Sequence, residues 1–156
     1  MSQAGAIDGL QFARDRAERS GSFDLNSFSR LAQLGCTAAQ IEYRLQGAEN
    51  RKAKPSLRLS LRGSLVLICQ RCLQPLEIAL DVQSELELAS SVRAINLAED
   101  DVDRVLATPN MNIAALIEDE AILALPMVPM HDHCVEVGEH DLKKPSPFAA
   151  LAELKV

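Results

Sequence analysis

The stretch from Ser56 to Val82, "SLRLSLRGSLVLICQRCLQPLEIALDV", decides how this chain is read. Leu57, Leu59, Leu61, Gly63, Leu65, Leu67 and Cys69 share one parity, while Ser56, Arg58, Ser60, Arg62 and Ser64 take the other. That alternation describes a long strand with one wet face, and Gly63 is the expected place for a bulge. Beyond Cys72 the pattern resumes, with Leu76, Ile78, Leu80 and Val82 set against Glu77, Ala79, Asp81 and Gln83, and it continues to Leu86 and Leu88. Two such runs predict an antiparallel hairpin with Cys69 to Pro75 as its connection. Arg58 and Arg62 are then expected to face Glu77, Asp81 and Glu85 across its polar side.

Working outward, Ile41, Tyr43 and Leu45 alternate with Glu42, Arg44 and Gln46 as in a half-buried strand, and "GAENRKAKP" reads as a polar connection. Ahead of them, Asp8 is placed to cap a helix over Leu10 to Arg19 that ends at Gly21-Ser22. A second short helix is expected from Asn26 or Ser27 through Leu34, with Gly35 as its left-handed terminator. Downstream, the acidic, turn-rich residues 96–110 read as a mobile loop. Asn112 then caps a helix over Ile113 to Leu125, whose Ile113, Leu116, Ile117, Ala121 and Ala124 share a face. Glu118, Asp119 and Glu120 diverge by about 100° each, so they are expected to be solvated rather than to converge on an ion. The prolines of "PMVPM" stop that helix, and a last one is expected over Phe148 to Leu154. The sum is an α+β fold: an antiparallel sheet from about 41 to 88 with a long central hairpin, packed by short helices from the N- and C-terminal parts. Its 156 residues suit one domain, 1–156.

Charge narrows the function. With 16 Lys and Arg against 22 Asp and Glu the net charge is -6, the wrong sign for holding nucleic acid by counterion release alone. Local basic residues are still available in Arg44, Arg51, Lys52, Lys54, Arg58, Arg62 and Arg71, the candidates for an RNA surface, whereas Glu77 to Glu120 is strongly acidic. Aromatic residues make up only 3% and tryptophan is absent, so stacking platforms for bases or sugars are scarce. No apolar run reaches the length of a membrane span and the N-terminus has no apolar leader core, which points to a cytoplasmic protein with no membrane partner.

Cys69 and Cys72 form a C-x-x-C between strands. A redox pair would have its first cysteine open a helix, whose N-terminus lowers the thiol pKa. A metal half-site needs only a tight turn that brings two thiolates to one tetrahedral ion. Cys134 could add a third sulfur, and His131 or His133 a nitrogen, to make a Cys3His site for one structural zinc. His131-x-x-Cys134 has the more usual spacing, and two reduced thiols with no metal remain the plain alternative. Cys36 reads as a small buried hydrophobe and His140 as a solvated side chain. No phosphate-cradling glycine loop, nucleophile elbow or dinucleotide fingerprint is present, and no small-molecule substrate is expected.

Three segments in order, "CQRCLQPLE", "EDEAILALPMVPMHDHC" and "KKPSPFAALAELK", resemble the YceD family of large ribosomal RNA subunit accumulation proteins over about Cys69 to Lys155. The resemblance implies a non-enzymatic ribosome-biogenesis factor, acting in synthesis, processing or stability of the large-subunit 23S rRNA. Two modes of action stand side by side. One is contact with that RNA through the basic residues; the other is binding of a basic ribosomal protein through Glu77 to Glu120, where opposite charge steers association. The competing class is a thiol- or metal-dependent enzyme acting on RNA.

Overall fold

The computed structural model describes residues 5–134; the helix predicted over Phe148 to Leu154 and His140 lie outside them. The elements run β1 (Ala6–Ile7), α1 (Gly9–Arg14), β2 (Glu18–Asp24), a 3-10 turn (Leu25–Ser27), α2 (Ser29–Gln33), β3 (Ala38–Glu49), β4 (Pro55–Ile68), β5 (Pro75–Ala89), α3 (Val92–Asn96), β6 (Arg104–Leu106), β7 (Met111–Asn112) and α4 (Ile113–Ala124). β2 to β6 form a five-stranded sheet in sequence order, antiparallel throughout except that β6 runs parallel to β5. β1 and β7 pair separately as a two-stranded ribbon. The fold is therefore α+β, as the alternation of the long central hairpin predicts.

Register follows from the side-chain pattern. Leu57, Leu61 and Leu65 lie opposite Leu86, Val82 and Ile78, so the apolar parities of β4 and β5 share one face. That face is covered by Phe12 and Ala13 of α1, by Phe28 and Leu31, and by Ile113, Leu116, Ile117 and Ala121 of α4, which join it in one buried core. Each leucine buried in it is worth about 1.5–3 kcal/mol over exposure. On the opposite face Arg58 stands across from Glu85 at 3.3 Å and Arg62 across from Asp81 at 3.8 Å. Glu77, by contrast, faces Val66.

Several local expectations are corrected. Gly63 is not a bulge, because both its neighbours pair without a break, Ile41 on one side and Leu80 on the other. Its φ of 156° and close approach to β3 explain the glycine: a Cβ there would lie 1.9 Å from the Gln40 carbonyl oxygen. Asp8 does cap α1, accepting from the Gln11 amide at 2.9 Å, but the helix ends at Arg14. Gly21 and Ser22 lie inside β2, where the bare Cα of Gly21 gives room to the Tyr43 ring on β3. Residues 96–110, read as a loop, contribute β6, which docks on Glu87, Leu88 and Ala89. α2 ends as expected, with Gly35 in the left-handed region at φ 88°.

Candidate metal centre

The tip of the central hairpin is a tight knuckle. The Cys69 amide donates to the Gln74 carbonyl at 2.9 Å, and the Leu73 amide donates to the Cys69 carbonyl at 3.0 Å. Turning this tightly puts Leu73 in the left-handed region at φ 60°, an arrangement that disfavours a side chain by about 1–2 kcal/mol. Between β4 and β5 the turn carries Cys69 and Cys72 to the same end of the sheet.

The other half arrives from α4. Asn112 caps that helix through the Ala115 amide at 3.3 Å. At its far end Leu125 is extended, as expected ahead of Pro126. The chain then runs along the knuckle, where the Gln70 amide donates to the Pro129 carbonyl at 2.9 Å and the His131 amide donates to the Cys69 sulfur at 3.4 Å. As a result Cys69, Cys72, Cys134 and the His131 imidazole offer donor atoms that all lie within 4.8 Å of one another.

The geometry of this group fits a tetrahedral ion. Zinc–sulfur bonds of about 2.3 Å imply sulfurs about 3.8 Å apart, and Cys69 Sγ stands 3.7 Å from Cys134 Sγ. Cys72 Sγ is 3.3 Å from His131 Nδ1. The far nitrogen, Nε2, lies 3.1 Å from the Pro75 carbonyl oxygen. A carbonyl only accepts, so it fixes the proton on Nε2 and leaves Nδ1 free to ligate. That selects between the two candidate histidines. His133 is exposed and stands apart from the group.

Electrostatics at the knuckle favour a thiolate. Burial pushes the Cys69 thiol up, yet amides of Cys72, His131 and Arg71 and the Cys72 thiol outweigh it and bring the pKa down to about 5. The Gln74 amide favours ionised Cys72, but burial and the sulfurs of Cys69 and Cys134 prevail and push that thiol up. One low and one raised pKa describe sulfurs that compete for a single negative charge unless a cation is at hand. Cys36 sits elsewhere, buried, its thiol donating to the Ala38 carbonyl at 3.1 Å.

Of the seven basic candidates Arg44, Arg58 and Arg62 share one polar face of the sheet, and the other four lie elsewhere. Arg44 pairs with Glu18 at 2.7 Å and Lys52 with Asp100 at 3.0 Å, Arg58 and Arg62 pair across the hairpin as described, and Arg71 turns to the thiols. Arg51 and Lys54 sit in the turn between β3 and β4, at the end of β4 away from Arg71, about 40 Å of strand apart.

Two buried carboxylates escape the sequence reading. Glu118 is buried, not solvated: its Oε1 accepts from the Arg30 and Leu31 amides at 2.6 and 2.9 Å, and its Oε2 from the Arg30 guanidinium at 3.0 Å. It thereby caps α2, whose own N-cap residue, Phe28, has no side-chain acceptor. Burial raises its pKa, but those donors outweigh burial and hold it below the usual carboxylate range. Glu87, also buried, accepts from Arg104 Nε at 3.1 Å and from Asn50 Nδ2 at 2.7 Å. A polar residue at each N-terminus is a signal the eye can find; a cap supplied from 87 residues away is not.

Comparison with known proteins agrees with the ordered motifs. A family model described as large ribosomal RNA subunit accumulation protein YceD matches residues 57–155. The large ribosomal RNA subunit accumulation protein YceD of Haemophilus influenzae is 29% identical over 170 residues, spanning 96% of this chain and 94% of its own. No solved structure matches the chain.

Proposed function

The chain belongs to the YceD family of large ribosomal RNA subunit accumulation proteins, and from that premise we propose that it supports the accumulation of 23S rRNA by binding rather than by catalysis. The observation that carries this reading is the closure of the thiol–imidazole group. Four protein donors would fill the tetrahedral shell of an ion held there and leave no position for a substrate or an activated water. Such a group is a staple: one zinc held by Cys69, Cys72, Cys134 and His131 would fasten the segment after α4 to the hairpin tip.

The partner we propose is a basic protein of the large subunit. Arg44, Arg58 and Arg62 are each engaged by a carboxylate, and the same sheet face adds Glu42 and Glu77. A face of this kind repels phosphate and steers a cationic surface. Ribosome assembly is cytoplasmic work, and no helix among the described residues is long and apolar enough to cross a membrane.

Crosslinking and pull-down from growing cells, with and without ribonuclease, tests the proposal. A basic ribosomal protein that stays bound after ribonuclease and is released by salt is the expected result. Capture that disappears with ribonuclease, together with purified chain binding rRNA with a steep salt slope that flattens in Arg58→Gln/Arg62→Gln, would make RNA the partner. Turnover of an RNA substrate by purified chain, abolished by Cys134→Ser, would make the protein an enzyme.

A further inference from the structure

Three thiolates and one neutral imidazole around a divalent ion sum to a formal charge of about -1. Half-buried at the end of a sheet, that excess needs a counter-charge. Resting on the zinc reading above, we propose that Arg71 is the counter-cation of this centre, a positioning residue that sets its metal affinity, and not a contact to RNA.

The geometry is specific. Arg71 Nε donates to Cys134 Sγ at 2.9 Å. One terminal nitrogen, Nη2, donates to the His131 carbonyl at 2.8 Å and to the Asp132 carbonyl at 3.4 Å. Among the described residues no carboxylate pairs with Arg71, so its donors go to a sulfur and to the backbone that carries the other ligand of that half, His131. Cys69 Sγ accepts from the His131 amide at 3.4 Å. Among the described residues the guanidinium is the N–H donor to Cys134 Sγ, whose other contact is the Cys69 sulfur at 3.7 Å.

Position in the sequence makes this economical. Arg71 lies inside the C-x-x-C, so the turn that supplies two ligands also supplies the charge that neutralises the third. One planar group then spans both halves of the site, with the forked donors that a lysine lacks.

Zinc titration of the full-length reduced chain, in competition with a chromophoric chelator, tests this, with Co2+ as spectroscopic probe. Wild type is expected to bind one ion with the thiolate-to-cobalt bands of a tetrahedral sulfur-rich site. Arg71→Gln should keep those bands while its zinc affinity falls by about 10–100-fold, the usual effect of removing an outer partner of a ligand; Arg71→Lys should fall in between. In a Cys134→His background the ligand set with zinc is already neutral, and Arg71→Gln should there cost nothing. Equal loss in both backgrounds would mean that Arg71 acts by packing, and unchanged affinity in Arg71→Gln alone would overturn the proposal outright. Failure of wild type to take up Zn2+ or Co2+ would instead remove the metal reading on which the proposal rests.

Discussion

The two ends of the central strand β4 are both fastened by side chains from far along the chain, but with different chemistry. At the β3–β4 turn, Asn50 and Arg104 converge on buried Glu87, while Arg104 and Lys52 share Asp100. Glu87, Arg104, Lys52 and Asp100 each meet an opposite charge within the protein, and the Arg104 contact, with help from Lys52, keeps the Asp100 carboxyl far below its ordinary range. At the β4–β5 turn, three sulfurs and an imidazole face one another, with the Arg71 guanidinium against one of the sulfurs. The first clamp is made of charges already paired, whereas the second is a set of donors that could hold a cation. The difference teaches that one strand can be fastened at its two ends by unlike chemistry: paired charges at one end, and at the other a group of donors that could hold a metal.

The largest way to break that contrast is to remove the metal. Chelation, or Cys134→Ser, is expected to lower Tm by about 10 °C, since a ligand at a thousand times its Kd contributes about 4 kcal/mol and a chain of this size shifts about 2–4 °C per kcal/mol. Calorimetry with and without chelator reads this directly, and an unchanged Tm would make the tip as self-sufficient as the base. Next in size, Glu87→Ala strips a buried acceptor from Arg104 and Asn50, with an expected loss of about 3 kcal/mol. Urea unfolding should show that loss equally in zinc-loaded and chelated protein; dependence on metal would join the two clamps into one.

Glu118→Gln sharpens the comparison from a third position, with an expected cost at neutral pH of about 2 kcal/mol because two amides and Arg30 lose an ionised acceptor. The folded carboxyl is held below its unfolded value, so this contribution is full above about pH 4.3. It is lost as pH falls through the folded value. The urea midpoints of variant and wild type should converge in acid, and a gap that stays constant would mean that the charge does not matter. Smallest is Arg62→Gln, whose partner is 3.8 Å away on an open face; equilibrium unfolding should change by less than about 1 kcal/mol.

What the sequence discloses follows from range. Period-two alternation is local, so β3, β4 and β5 can be read directly, and with them a polar side on which Arg58 and Arg62 meet Glu85 and Asp81, though not that Glu77 faces Val66. So can the Asn112 and Asp8 caps, each acting three residues away. β2 hides because its seven residues, "ERSGSFD", bury one side chain and show no alternation. Glu118 misleads for a related reason: three acids in a row look solvated, and only the packing of α4 against α2 gives one of them amides to hold. At the candidate metal centre the spacing names Cys69, Cys72 and Cys134 and favours His131 over His133, but it cannot show the Pro75 carbonyl that orients the imidazole, contributed 56 residues earlier. Arg71 is likewise drawn from the RNA candidates to the thiols by contacts 60 to 63 residues away.

The knuckle also sets a clock during synthesis. Cys134 lies 65 residues after Cys69, so at about 5–20 residues per second the first thiol pair leaves the ribosome some 3–13 s before its last partner. Through that interval the nascent chain displays a bare C-x-x-C on a forming hairpin. Were the group to hold a metal, its loading would be a question of timing as much as of affinity: an ion captured early on two sulfurs would gain Cys134 and His131 as ligands when α4 folds back.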